Sequence, residues 1–154
     1  MIQRVQSVWL LLTSLTLFVL LALPIVSTLD KGTEFSIYAH GLHHKAVTAG
    51  SELIVDLFLP LIIFTAAVAL LSLVNIFMFR NRLLQKRICI MIILGILALG
   101  VWIGWMASEI PGGLENASYK AGTFLPLLAL IFCILSLRGI RKDEQLIRSA
   151  DRLR

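Results

Sequence analysis

The chain is poor in what reactive sites are made of. It has two cysteines, Cys89 and Cys133, both inside apolar runs and in no C-x-x-C pair. That excludes a thiol oxidoreductase with an exposed reactive pair, and both cysteines read as small hydrophobes. Charged residues make up only 15% of the 154 residues. No nucleophile–base arrangement, phosphate-binding loop or carboxylate pair on a common face appears. The sequence therefore gives an enzyme no support, and no cofactor is expected. Internal repeats and low-complexity stretches are also missing.

Apolar residues are what the chain has in quantity. They make up 58% of it, against roughly 45–50% in soluble domains, and the mean hydropathy is +0.91. They fall in four blocks, about 5–26, 53–79, 88–107 and 121–140, of which the first and third carry no charge. A helix crosses the roughly 30 Å hydrocarbon core with about 20 apolar residues. The expected fold is all-α: a four-helix transmembrane bundle of one domain, 1–154. Its outer loops are 27–52 and 108–120, and its tail, 141–154, holds a short amphipathic C-terminal helix. The first block is longer than a signal-peptide core and no A-x-A site follows it, so it is expected to remain as an anchor.

Basic residues set the orientation. Arg4, then Arg80, Arg82, Lys86 and Arg87, then Arg138, Arg141, Lys142, Arg148, Arg152 and Arg154 fall on one side of the implied membrane; Lys31, Lys45 and Lys120 fall on the other. Positive residues stay cytoplasmic, so both termini are expected inside. Positive charge distributed in this way reports topology, and no specific nucleic-acid partner is expected.

Within the blocks, Thr13, Ser14 and Thr16 are expected to bond back to their own helix or to a neighbour, and Asn75 to another helix. Gly95, Gly100 and Gly104 are candidate helix-packing positions, the last two at GxxxG spacing. Trp102 and Trp105 suit a membrane interface. The second block is long for a perpendicular span, which predicts tilt, a protruding end, or a kink at Pro60. Ser51 is its expected N-cap. Glu34–Ala39 has the composition of a short strand.

Three candidate sites follow. Asp56 is the one acidic residue inside an apolar block; ionisable residues there are costly and often functional. Proline at 60 lacks the N–H that would bond the Asp56 carbonyl in a helix, so one position offers a carboxylate and a freed carbonyl to a cation or proton. The plainer reading is a water-accessible residue near the outer interface. His40, His43 and His44 share the first outer loop and have imidazoles to offer zinc or copper, although clustered loop histidines are usually just solvated. In the tail, Leu146, Ile147, Ala150 and Leu153 recur at helical spacing. Arg141, Lys142, Asp143, Glu144, Arg148, Asp151, Arg152 and Arg154 offer charge to anionic lipid headgroups or to a protein partner. Interleaved acids are not needed by a lipid-binding patch, so both readings stay open.

The opening Met1-Ile2-Gln3-Arg4-Val5-Gln6-Ser7-Val8-Trp9-Leu10-Leu11-Leu12 and the closing Lys142-Asp143-Glu144-Gln145-Leu146-Ile147-Arg148-Ser149-Ala150-Asp151-Arg152-Leu153-Arg154 carry a resemblance. With the spacing of the four blocks, the chain resembles a Bacteroidota family of small four-span inner-membrane proteins, a domain-of-unknown-function family. The resemblance implies the inner membrane of a Gram-negative cell and brings no catalytic residues. The leading expectation is a non-enzymatic accessory subunit of a larger membrane complex, such as a protein-export or translocation machine, docking through its tail. The alternative is a small ion- or proton-coupled transporter using Asp56.

Overall fold

The structure is a computed structural model describing residues 3–30, 33–46, 52–108 and 117–151. Its helices are α1 (Gln3–Ala22), α2 (Leu59–Phe77), α3 (Arg82–Ser108) and α4 (Leu125–Asp151). Each is long and apolar enough to cross a membrane. Helix α1 packs chiefly on α2 and α4, and α3 packs on the same two, giving a four-membered bundle with α1 and α3 on opposite corners.

The buried faces follow helical spacing and are unusually polar. They read Gln6, Leu10, Thr13, Ser14, Leu17 and Leu20 on α1, and Leu61, Thr65, Val68, Ala69, Ser72 and Asn75 on α2. Meanwhile Val101 is 75% exposed and Ile63 66%. A soluble bundle would invert this. In lipid, apolar side chains gain nothing by leaving the surface, and small and polar residues hold helices together through close packing and hydrogen bonds. Ser14 Oγ donates to the Ala69 carbonyl (3.0 Å) and Ser72 Oγ to the Leu10 carbonyl (2.9 Å), tying α1 to α2 from both sides. Thr13 bonds back to Trp9 and Thr16 to Leu12 within α1.

The segments 27–52 and 108–120 were expected to be loops with one short strand at 34–39. They build a five-stranded antiparallel sheet in the order β4-β3-β2-β1-β5. The strands are β1 (Pro24–Asp30), β2 (Thr33–Tyr38), β3 (Gly41–Ala46), β4 (Glu52–Leu57) and β5 (Ala117–Tyr119). The strand expected at 34–39 is β2, and its partners remove the instability of a lone hairpin. Ile25, Val26 and Ile37 are buried where the sheet meets the bundle.

The sheet corrects the expected boundaries. The block 5–26 is a helix only to Ala22, and its end is the start of β1, where Pro24 stands at a tolerated first strand position. The block 53–79 is two elements, a six-residue strand and a 19-residue helix. Phe58 separates them, with non-helical backbone (φ −90°, ψ 65°), and Pro60 sits in the first turn of α2, where its missing N–H costs nothing. Nineteen residues at ~1.5 Å give about 28 Å, a span that needs neither kink nor tilt. The expected N-cap Ser51 lies outside the described residues. Helix α3 starts at Arg82 rather than 88, because the 80–87 connection is only a 3-10 turn, Met78–Arg80, followed by Asn81. Helix α4 follows a 3-10 turn, Ala121–Phe124, and runs unbroken into the tail.

Candidate functional site: the polar end of the bundle

The start of α1, the α2–α3 connection and the end of α4 meet at the bundle end away from the sheet. Each contributes a polar side chain at a position of its buried stripe. Gln6 lies across Gly139, where an added Cβ would stand 2.9 Å from Gln6 Cγ. That absence of a side chain lets the Gln6 amide reach over α4 and donate to the Asp143 carboxylate. Ser136 Oγ donates to the Gln6 carbonyl at 3.4 Å, and the Trp9 and Phe132 rings stack above at 5.7 Å. Asp143 is 7% exposed and Gln6 6%, so this contact is a dry tie between α1 and the tail.

A second knot closes α2 on α3. Asn75 Nδ2 donates to the Gln85 carbonyl (3.3 Å) and to Cys89 Sγ (3.1 Å), and Gln85 Nε2 donates back to the Asn75 carbonyl (3.3 Å). Cys133 Sγ on α4 donates to the Cys89 carbonyl at 3.7 Å. Both cysteines are free thiols packed in the core, and they share one junction between α3 and α4. At the rim, Lys86 on α3 pairs with Glu144 on α4 at 3.2 Å. Two buried acceptor atoms, Asp143 Oδ1 and Asn75 Oδ1, have no hydrogen-bond partner among the described residues.

This arrangement changes the reading of the tail. Its acids were expected, together with its bases, to face anionic lipid headgroups or a protein partner. The structure turns Asp143 inward onto Gln6 and Glu144 onto Lys86, while Arg138, Arg141 and Lys142 stay exposed. Two of the acids thus serve the protein's own packing and are no argument for an outside partner. Of Arg148 and Asp151 only the helical backbone is described, and Arg152 and Arg154 lie outside the described residues.

The other candidates fall elsewhere. Asp56 stands on β4, opposite Leu42 in β3, so its placement inside a helix is corrected. A strand residue has no i+4 helical donor to lose, and the freed-carbonyl site disappears with it; the Asp56 side chain is outside the described ones. His40 and His43 converge at the β2–β3 turn, with their Nε2 atoms 2.9 Å apart. The backbone of His44 pairs with Phe35 and Leu53, and its side chain is outside the described ones. Among the described residues no three His, Cys, Asp or Glu side chains form a metal-binding group.

The three glycines separate. Gly95 packs on α2, its missing Cβ 3.0 Å from Val68 Cγ2. Gly100 and Gly104 would meet nothing within 4 Å and line a groove of about 580 Å³ with Leu97, Val101, Tyr119 and Leu127. Gln6 and Gln85 were missed by sequence reasoning. The available signal was a long polar amide at helical-stripe spacing from an inward position: Gln6 is seven residues before Thr13, and Gln85 four before Cys89.

A family model described as "Domain of unknown function (DUF4293)" matches residues 2–153. No curated protein matches the chain.

Proposed function

We propose, on the premise that the chain belongs to this family of unknown function, that it is a non-enzymatic accessory subunit of a larger inner-membrane complex. The observation that carries the reading is the continuity of α4. It is 27 residues long, about 40 Å at ~1.5 Å per residue. That exceeds the roughly 30 Å hydrocarbon core and projects its last turns beyond the membrane. Gln6 and Lys86 hold the projecting part to α1 and α3, so it is a fixed arm.

On this arm the described acids are occupied internally and Arg138, Arg141 and Lys142 face outward. A rigid surface of one sign suits an acidic protein face, where complementary charge fixes register and suppresses wrong partners. The split of basic residues supports placing both termini and the α2–α3 corner in the cytoplasm, and the sheet outside. The Asp56 transporter reading loses its helical premise and is not carried forward.

Copurification from native membranes in gentle detergent tests this. Wild type should bring a stoichiometric protein partner, and Arg141→Glu/Lys142→Glu should lose it. A wild type that copurifies with lipid alone overturns the proposal.

A further inference from the structure

The groove of about 580 Å³ lies between α3 and α4 at the sheet end of the bundle. Gly100 and Gly104 leave open space where side chains would stand, and Leu97, Val101 and Leu127 line it while exposed. Strand β1 adds Ile25 and Val26, and the 3-10 turn adds Thr123, whose hydroxyl donates to the Ile25 carbonyl. Apart from Tyr119, the lining therefore offers a ligand carbon and no unspent hydroxyl. On α3 the groove runs from Ile96 to Ala107, about 16 Å at ~1.5 Å per residue. Ile96 and, on α4, Leu130 stand near the middles of the apolar blocks 88–107 and 121–140. The groove thus starts at mid-membrane and ends at the sheet-side interface. Its length is that of one leaflet, half of the roughly 30 Å core.

We propose that this groove is a phospholipid site: it holds one acyl chain from the sheet-side leaflet, with the lipid phosphate paired to Lys120. An acyl chain occupies one leaflet's depth and no more, whereas a partner helix continues past it. The charge at the mouth agrees with this occupant. Tyr119 and Lys120 follow one another there, both exposed. The Lys120 N–H donates to the Ile25 carbonyl at 3.0 Å, which fixes its backbone beside two residues of the lining. A tyrosine suits the level of the headgroups, and a lysine ammonium is a point-charge partner for phosphate. The two glycines explain how the site forms without strain: with no Cβ on either, a chain can lie against the α3 backbone. The site is at the opposite end of the bundle from the arm and does not rest on the docking reading.

The test is native mass spectrometry of the full-length protein, reconstituted in vesicles of palmitoyl-oleoyl phosphatidylglycerol and then washed in mild detergent. Wild type should retain one phospholipid. Gly100→Leu/Gly104→Leu places side chains where nothing stands within 4 Å, so it fills the groove without a clash and should cut retention about tenfold. Lys120→Glu should also cut it about tenfold, and a diacylglycerol with the same chains but no phosphate should be held about tenfold less well. Ile63→Phe, at an exposed position on α2, should leave retention unchanged. Wild type emerging free of lipid overturns the site, a readout that does not depend on any variant folding. Retention unchanged in the double glycine variant overturns it too. A wild-type dimer that becomes monomeric in that variant gives the groove to a second copy and overturns the lipid assignment. Retention indifferent to both Lys120 and the phosphate overturns the headgroup contact.

Discussion

The tie between Gln6 and Asp143 makes a prediction that can be worked through from the structure. Gln6→Ala removes the one hydrogen-bond donor that the Asp143 carboxylate has among the described residues; Asp143 is 7% exposed, and its other oxygen has no partner among them. Leaving a buried acceptor unsatisfied costs about 1–3 kcal/mol. Interhelical hydrogen bonds in membranes average about 0.6 kcal/mol and reach about 1.7, so a loss of about 1–2 kcal/mol is expected. Asp143→Ala should cost about 1 kcal/mol by stranding the Gln6 amide. The double variant leaves neither group stranded, so its loss should fall short of the sum of the single losses by about 0.5–1.5 kcal/mol. Equilibrium unfolding in mixed micelles measures all four proteins. Hydrogen exchange should also show faster opening of α4 amides after residue 140 in Gln6→Ala. Additivity within about 0.3 kcal/mol, with unchanged exchange, would refute the claim that this contact anchors the arm.

Other outcomes follow from the same packing. Gly122→Ala should destabilise by about 1–3 kcal/mol, because its Cβ would stand 2.5 Å from the Pro24 carbonyl oxygen, where backbone faces backbone; a thermal melt in detergent reads it. Gly95→Val should cost a similar amount against Val68, whereas Gly100→Ala and Gly104→Ala open onto free space and should stabilise the monomer by up to about 1 kcal/mol through helix propensity. The same melts show whether the signs divide this way. Lys86→Met should change stability by less than about 1 kcal/mol, since both partners of its ion pair are partly exposed; comparison at low and high salt checks it.

Much of the bundle was legible in the sequence because lipid imposes a simple rule. A span must be long, apolar and helical, and four blocks met it. The strands were hidden by the same rule. Leu53-Ile54-Val55 merges into the apolar run of α2, and Pro24-Ile25-Val26 into that of α1, so a search for continuous hydrophobicity absorbed both. Pro60 was offered as the cause of a kink, although a proline at the eighth position of a 27-residue block also fits the first turn of a shorter helix. The tail acids show a second limit. Their spacing along α4 was visible, but their partners lie on other helices, Gln6 on α1 and Lys86 on α3. Only the fold reveals that they face inward. The histidines were seen as a loop cluster, and the hairpin turn then brought two of them together.

The docking claim is tested most directly by a photo-crosslinking residue placed on the arm in living cells. Replacing Lys142 or Gln145, both exposed on α4, should yield one discrete protein adduct. The same probe at Leu94, exposed at mid-span on α3, should not yield that adduct. Lipid adducts alone at both arm positions, with no protein partner, would contradict the account.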